Sequence, residues 1–267
     1  MRSVRTVQTD DGIRLDYRVD GPADAPVLLF VNSLGTNVRM WEPQVAPLAE
    51  QFRVVRYDSR GHGRSDAPPG PYTLERLALD ALALLDALDV EQAHVCGLSL
   101  GGMVALWLAI HRPERVGRAV FANTAARIGS EAIWSARIEA VEAGGMAAIH
   151  DAVLARFLSA GFRARDPETT RTVSEMLLST SLSGYIACCT ALRDADLRHL
   201  ASTVEAPSLV IGGELDEATP PAQAEDLHAA IVPSELMIIP GVAHLSNLEA
   251  PDLFNRRVLD LLARPSR

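Results

Sequence analysis

The chain has 267 residues, of which 48% are hydrophobic and 22% are charged. This composition fits one large globular core, with or without an insertion, and excludes an intrinsically disordered protein. The net charge of −9 argues against a nucleic-acid partner.

All 25 positively charged residues are arginines. The absence of lysine excludes Schiff-base chemistry and a P-loop lysine. Three cysteines and seven scattered histidines match no metal-ligand spacing, so we expect neither a metal nor another cofactor. No apolar run is long enough to span a membrane, and residues 1–12 do not resemble a signal peptide. We therefore expect a cytoplasmic protein without a membrane partner.

Short strands alternate with helices over most of the chain. One segment alternates apolar and polar residues, as a half-buried strand does, and six others are short apolar runs typical of buried parallel strands. This alternation predicts an α/β fold with a mostly parallel central sheet flanked by helices. The predicted strands are 13–19, 27–31, 53–57, 93–97, 116–121, 207–211 and 235–239, and the helices between them are 75–88, 100–111, 221–231 and 251–263.

The alternation stops between residues 125 and 200, where the pattern is helical throughout. We expect a helical lid here, inserted into a core formed by residues 1–124 and 201–267, because ligands bind at the carboxyl edge of such sheets. A separate helical domain is the alternative. The predicted lid helices are 131–143 capped by Ser130, 146–159 ending near Gly161, one beginning at Asp166-Pro167, and 184–192 capped by Ser183.

The run GLSLGG at residues 97–102 lies between a predicted strand and a predicted helix. A serine at such a sharp turn needs small residues two positions away on either side, and its Oγ then stands above the sheet. The pattern predicts that Ser99 is a nucleophile. A glycine-rich turn without chemistry is the alternative.

A nucleophilic serine needs a base and an acid that orients the base. Asp216 follows the strand 207–211, and His244 follows the strand 235–239, so both lie at the edge of the sheet where Ser99 lies. Glu214 and Glu217 are rival acids. His62, in the turn RGHG, is predicted to be structural.

An oxyanion hole needs two backbone N–H groups that point at the developing negative charge. We expect one from Leu100, which follows the nucleophile, and the other from Leu34, in the turn after strand 27–31. A tight loop kept small for packing alone is the alternative interpretation of that turn.

Four runs together resemble the α/β-hydrolase-fold enzymes over essentially the whole chain: GLSLGG, RYDSRGHGRSDAP, GGELDEATPP and PGVAHLSNLEAP. Most members have His-Gly at the first oxyanion turn, whereas this chain has Asn32-Ser33. The runs VNSLGTNVRMW and SGYIACCTALRDADLR more closely resemble 3-oxoadipate enol-lactonases of the β-ketoadipate pathway of aromatic-compound catabolism.

The lactonase resemblance implies a serine hydrolase that opens a cyclic ester carrying an acetate side chain and releases 3-oxoadipate. Such an anion needs a local cation in a protein of charge −9. Trp134 and Arg137 share one face of a predicted lid helix and could bind a flat ring and its carboxylate, with Arg127 as the second choice. The alternative is that Trp134 packs against neighbouring side chains and Arg137 reaches solvent.

Other functions use the same residues. A general carboxylesterase or a cofactor-free perhydrolase would have the same triad, and a non-catalytic ligand-binding protein could use the same scaffold. Haloalkane dehalogenases and epoxide hydrolases are disfavoured because they have an aspartate nucleophile where this chain has Ser99. The expected partner is a small lactone or ester that carries a carboxylate; the sequence gives no oligomeric state.

Overall fold

The computed structural model describes residues 5–264. Within that range one eight-stranded sheet forms, in the order β1-β2-β4-β3-β5-β6-β7-β8. The pairs β1·β2 and β2·β4 are antiparallel, and every other neighbouring pair is parallel. The strands are β1 Arg5–Gln8, β2 Arg14–Asp20, β3 Val27–Val31, β4 Arg53–Tyr57, β5 Ala93–Leu98, β6 Val116–Ala122, β7 Ser208–Gly213 and β8 Ser234–Ile239.

The middle strands are buried on both faces, as their unbroken apolar runs predict. Every residue of β3 and β7 is buried, so helices must cover both sides of the sheet. The covering core helices are α1 Glu42–Leu48, α2 Leu74–Ala87, α3 Leu100–His111, α9 Pro221–Ala230, α10 Ser246–Glu249 and α11 Pro251–Leu262. The predicted fold, a mostly parallel sheet flanked by helices, is confirmed. In the described part of the chain, no helix is long and apolar enough to cross a membrane.

Residues 125–200 contain helices and no strand. Besides a short 3₁₀ helix, Met146–Ala148, the structure has five α-helices where the sequence predicts four helices. They are α4 Glu131–Gly144, α5 His150–Phe157, α6 Ala160–Arg165, α7 Pro167–Leu178 and α8 Leu182–Asp194. We call residues 125–200 the helical insertion.

Two details of the predicted helices are wrong. Gly161 does not end a helix but lies inside α6, where an added Cβ would meet nothing within 4 Å. Ser159 caps the start of α6, because its hydroxyl accepts the Phe162 N–H. Ser181, not Ser183, caps α8, because its side chain accepts the N–H of Gly184. The predicted caps Ser130 and Asp166 do accept N–H groups in the first turns of α4 and α7.

The helical insertion contacts three loops at the carboxyl edge of the sheet. Tyr185 lies against Gly35 in the loop after β3, and Gly184 lies against Gly61 in the loop after β4. The Leu245 N–H, in the loop after β8, donates to the Phe157 carbonyl over 2.9 Å. The insertion therefore borders the edge where we expect the chemistry.

Candidate active site

Ser99 has a backbone conformation that few non-glycine residues adopt, with φ +59° and ψ −116°. It joins β5 to α3, and the two flanking glycines explain how the turn fits. A Cβ on Gly97 would lie 2.0 Å from the Gly101 carbonyl oxygen, and a Cβ on Gly101 would lie 2.1 Å from the Val31 carbonyl oxygen. Only glycine fits at those two positions, and the turn has the backbone shape that a nucleophile elbow requires.

His244 and Asp216 form a buried hydrogen-bonded pair. His244 Nδ1 donates to Asp216 Oδ2 over 2.8 Å, and the two side chains are almost fully buried. The ring of Phe157, from the helical insertion, stacks on His244 with centroids 5.5 Å apart. Nε2 of His244 has no hydrogen-bond partner among residues 5–264 and is the nitrogen a serine proton would reach.

Asp216 is held by four donors besides the histidine. The N–H groups of Ala218 and Thr219 donate to Oδ1, and the Thr219 hydroxyl and the Asn123 amide donate to Oδ2. Burial alone raises the pKa of Asp216, but the charge of His244 and these hydrogen bonds outweigh it, so its pKa lies below the usual range. Asp216 is thus a carboxylate at neutral pH, as an orienting acid must be.

The two rival acids are placed differently. Glu214 and Glu217 are exposed, and the Glu214 carboxylate accepts the backbone N–H of Gly241 rather than a histidine. The geometry therefore favours Asp216 over both glutamates as the acid that would orient His244.

Asn123 belongs to the site but was not predicted from the sequence. It follows β6 directly with φ +44°, and its amide donates to Asp216 Oδ2 over 2.9 Å and to the Ala243 carbonyl over 3.3 Å. The Asn123 side-chain oxygen, Oδ1, accepts a hydrogen bond from the Ser246 hydroxyl. A polar residue at the carboxyl end of a buried parallel strand was the available signal.

The two predicted oxyanion donors are backbone N–H groups that are not engaged elsewhere in the described part of the chain. The backbone N–H groups of Leu34 and Leu100 donate to no protein acceptor there, whereas the N–H of Ser33 points at Met40 Sδ over 3.4 Å. Asn32 anchors the turn, because its amide donates to the Tyr57 carbonyl and its oxygen accepts the Trp41 indole N–H. This arrangement favours Leu34 over Ser33 as the second donor.

Trp134 and Arg137 lie on α4, and both are half-buried. The Trp134 indole donates to the Ile128 carbonyl over 2.6 Å, and Arg137 Nη1 donates to the Tyr185 hydroxyl over 3.2 Å. Arg137 has no carboxylate partner among the described residues. Because the Tyr185 ring lies against Gly35, Arg137 is one side chain away from the Leu34 turn.

Arg127, the second choice, is already paired. Its Nη1 lies 3.3 Å from Asp196 Oδ2, and Asp196 also binds Arg198 over 2.6 Å. Arg127 is therefore a weaker candidate than Arg137 for a substrate carboxylate. Within residues 5–264, no group of three or more His, Cys, Asp or Glu residues is arranged to hold a metal ion.

Comparisons with known proteins show which proteins this chain resembles. Residues 26–166 match the family described as alpha/beta hydrolase fold. The chain is 41% identical over 256 residues to 3-oxoadipate enol-lactonase 2 of Acinetobacter baylyi, covering 96% of both chains. The crystal structure of the enol-lactonase from Burkholderia xenovorans LB400 superposes with a TM-score of 0.95 at 41% identity, covering 97% of this chain and 100% of that one. A thermophilic esterase from Thermogutta terrifontis, solved with malate bound, superposes with a TM-score of 0.91 at 26% identity over 98% of each chain.

Proposed function

This chain belongs to the α/β-hydrolase-fold family, and we propose that it is a carboxylic ester hydrolase that opens 3-oxoadipate enol-lactone to 3-oxoadipate. The observation that carries the proposal is the similarity to 3-oxoadipate enol-lactonases over nearly the whole chain, joined to the buried Asp216–His244 pair. The same similarity favours a lactonase over a general carboxylesterase, a perhydrolase or a binding protein.

The first chemical step is acylation of Ser99. Its Oγ attacks the lactone carbonyl while His244 Nε2 takes the hydroxyl proton, and the Asp216 carboxylate stabilises the imidazolium that forms. The tetrahedral oxyanion accepts hydrogen bonds from the N–H groups of Leu34 and Leu100. Each such donor lowers the activation free energy by about 3 kcal/mol. Collapse breaks the ring C–O bond, and His244 returns the proton to the departing enol oxygen.

The second step hydrolyses the ester formed on Ser99. Water attacks the acyl carbonyl, His244 removes a proton from that water, and the same two N–H groups bind the second oxyanion. Collapse returns the proton to Ser99 and frees the enol of 3-oxoadipate, which tautomerises to the ketone. One water is consumed, and no redox partner is needed.

The substrate's acetate carboxylate needs a cation inside the site. Arg137 supplies one that is half-buried, bonded to the neutral Tyr185 hydroxyl and unpaired with any described carboxylate. Burial raises the pKa of Tyr185 well above its usual value, so this hydroxyl does not compete as an anion. Trp134, one turn earlier on α4, would then border the lactone ring.

The helical insertion acts in this proposal as a lid over the core formed by residues 1–124 and 201–267. Its contacts with the loops after β3, β4 and β8 support that role, because those loops hold Leu34, His62 and His244. We also propose that the protein is cytoplasmic and that its partner is a small molecule, not a nucleic acid or a membrane. The net charge of −9 supports the absence of a nucleic-acid partner.

A turnover assay on 3-oxoadipate enol-lactone, beside a neutral lactone of similar size and a p-nitrophenyl ester, tests the proposal. We expect the carboxylated lactone to have the highest kcat/KM. Equal values for all three would indicate a general carboxylesterase, and peracid formation from hydrogen peroxide and acetate at a higher rate would indicate a perhydrolase. A protein that neither turns over an ester nor reacts with a fluorophosphonate would be a binding protein.

A further inference from the structure

Glu249 is a buried carboxylate that takes no part in the chemistry described above. It is 8% exposed, and no arginine or histidine in the described part of the chain pairs with it. Three protein donors satisfy it instead. The N–H groups of Ser159 and Ala243 both donate to Oε1 over 2.9 Å, and the Ser159 hydroxyl donates to Oε2 over 2.5 Å.

The three donors come from two parts of the fold that are far apart in sequence. Ser159 lies between α5 and α6 in the helical insertion, whereas Ala243 immediately precedes the base His244. Burying a carboxylate is costly unless hydrogen bonds compensate for the lost water. Glu249 therefore favours the arrangement in which these two segments meet.

Two more contacts join the same segments. The Phe157 carbonyl accepts the Leu245 N–H over 2.9 Å, and the Phe157 ring stacks on the His244 imidazole at an interplanar angle of 21°. We call residues 240–245, between β8 and α10, the His244 loop. Residues 157–159 contact this loop through the Leu245 N–H and the His244 imidazole, and Glu249 links them to the Ala243 N–H. The imidazole is held at Nδ1 by Asp216 and on one face by a ring from the insertion.

We propose that Glu249 is a positioning residue: it fastens residues 157–159 to the His244 loop and so keeps Nε2 of His244 aimed at Ser99. The proposal rests on the proposed function only in taking His244 as the base. Charge-assisted hydrogen bonds from backbone N–H groups are among the stronger ones in proteins. A displacement of about 1 Å in a reacting group can lower a rate roughly 100-fold.

Glu249→Ala and Glu249→Gln test the proposal in the burst hydrolysis of p-nitrophenyl acetate. Glu249→Ala should lower the acylation rate about 10- to 100-fold with KM changed less than about 3-fold. The glutamine amide can still accept both N–H groups at Oε1 and donate to the Ser159 hydroxyl. Glu249→Gln should therefore stay within about 3-fold of the wild-type rate.

A matched control separates positioning from loss of stability. Val258 is fully buried in α11, which begins after the His244 loop, and Val258→Ala should lower Tm while keeping the wild-type acylation rate. Hydrogen exchange gives a readout without activity. In Glu249→Ala, peptides covering 157–160 and 242–245 should exchange faster, and peptides covering β3 and β7 should not.

Wild-type acylation by Glu249→Ala, or a Glu249→Gln variant as slow as Glu249→Ala, would overturn the proposal. So would a Val258→Ala variant that loses as much rate as Glu249→Ala at equal Tm. Failure of the lactonase assignment would appear differently, as a wild-type protein that shows a p-nitrophenyl acetate burst but does not prefer the enol-lactone.

Discussion

His62 Nε2 accepts the backbone N–H of Gly35 over 2.9 Å, immediately after the proposed oxyanion donor Leu34. Its Nδ1 lies 3.2 Å from the Arg60 carbonyl, so Nδ1 carries the proton and Nε2 is the acceptor. Complete burial lowers the pKa of His62 from 6.5 to about 4. A histidine outside the proposed triad thus supports the proposed oxyanion turn, and it does so in its neutral form.

This pKa predicts a loss of stability in mild acid. Between pH 6.5 and about 4 the unfolded chain binds a proton at His62 that the native chain does not bind. The contribution of neutral His62 to the free energy of unfolding is therefore fully present above pH 6.5. It is lost as pH falls towards 4, which lowers the free energy of unfolding by roughly 2–3 kcal/mol. Urea unfolding at pH 7 and pH 4.5 measures the fall.

His62→Gln is the matched variant, since its side-chain oxygen can also accept the Gly35 N–H. His94, whose pKa burial also lowers to about 4, remains in both proteins, so the difference between them isolates His62. The variant should lose less stability between the two pH values than the wild type. An identical loss in both would show that His62 does not titrate in this window.

Removing the residues of the proposed triad should lower kcat by graded amounts. Ser99→Ala and His244→Ala should each lower kcat by about 10⁶, and Asp216→Asn by about 10⁴, because the imidazole remains but its tautomer is no longer fixed. Glu214→Gln and Glu217→Gln should keep the wild-type rate, since both side chains are exposed. Near-normal turnover by Asp216→Asn, beside a slow Glu214→Gln or Glu217→Gln, would move the acid to a neighbour.

Gly184→Ala should destabilise the protein, although alanine usually favours a helix. A Cβ on Gly184 would lie 2.3 Å from Gly61 Cα, so α8 must move away from the turn that holds His62. We expect a loss of about 1–3 kcal/mol in the free energy of unfolding. Gly161→Ala in α6 is the control, because its Cβ meets nothing within 4 Å and should add about 0.5–1 kcal/mol. Equal effects of both variants on Tm would contradict the predicted clash.

The sheet and the position of Ser99 could be predicted because their signals are local. Buried parallel strands are short apolar runs, and the two glycines around Ser99 are required by backbone contacts within the turn itself or with the neighbouring strand. β1 was missed because three of its four residues are exposed and it carries no apolar pattern. Edge strands without a buried face leave little trace in a sequence.

Asn123 and Glu249 could not be predicted because their roles depend on distant contacts. Asn123 donates to a residue 93 positions away, and Glu249 accepts from one 90 positions away. In sequence they are a polar residue after a strand and an acid two residues before a proline, features that also occur without any function. Only the folded chain shows what each one holds.

Leu34→Pro tests the second oxyanion donor. Proline removes the N–H of residue 34 and should raise the barrier by about 3 kcal/mol, which is roughly a 100-fold loss in kcat. Leu34→Ala keeps the N–H and should change kcat only modestly through packing, since the Leu34 side chain is buried. Circular dichroism and Tm verify folding. A folded Leu34→Pro variant with undiminished kcat would assign the donor to another N–H, with Ser33 the next to test.

Arg137→Ala tests how the substrate is chosen. The guanidinium is half-buried, donates to the Tyr185 hydroxyl and meets no carboxylate in the described part of the chain, so a substrate carboxylate can pair with it. A charge-assisted hydrogen bond is worth about 1.5–3 kcal/mol. Arg137→Ala should therefore lower kcat/KM for the enol-lactone roughly 10- to 150-fold and leave a neutral lactone almost unchanged.

Two control variants make that result specific. Tyr185→Phe removes the hydroxyl partner but keeps the cation, so it should cost the enol-lactone much less than Arg137→Ala does. Arg127→Ala removes a cation already paired with Asp196 and should leave the preference intact. Equal losses on both lactones would mean that Arg137 holds the insertion together through Tyr185. No loss on either would require another partner for the carboxylate, and a loss confined to Arg127→Ala would identify that partner as Arg127.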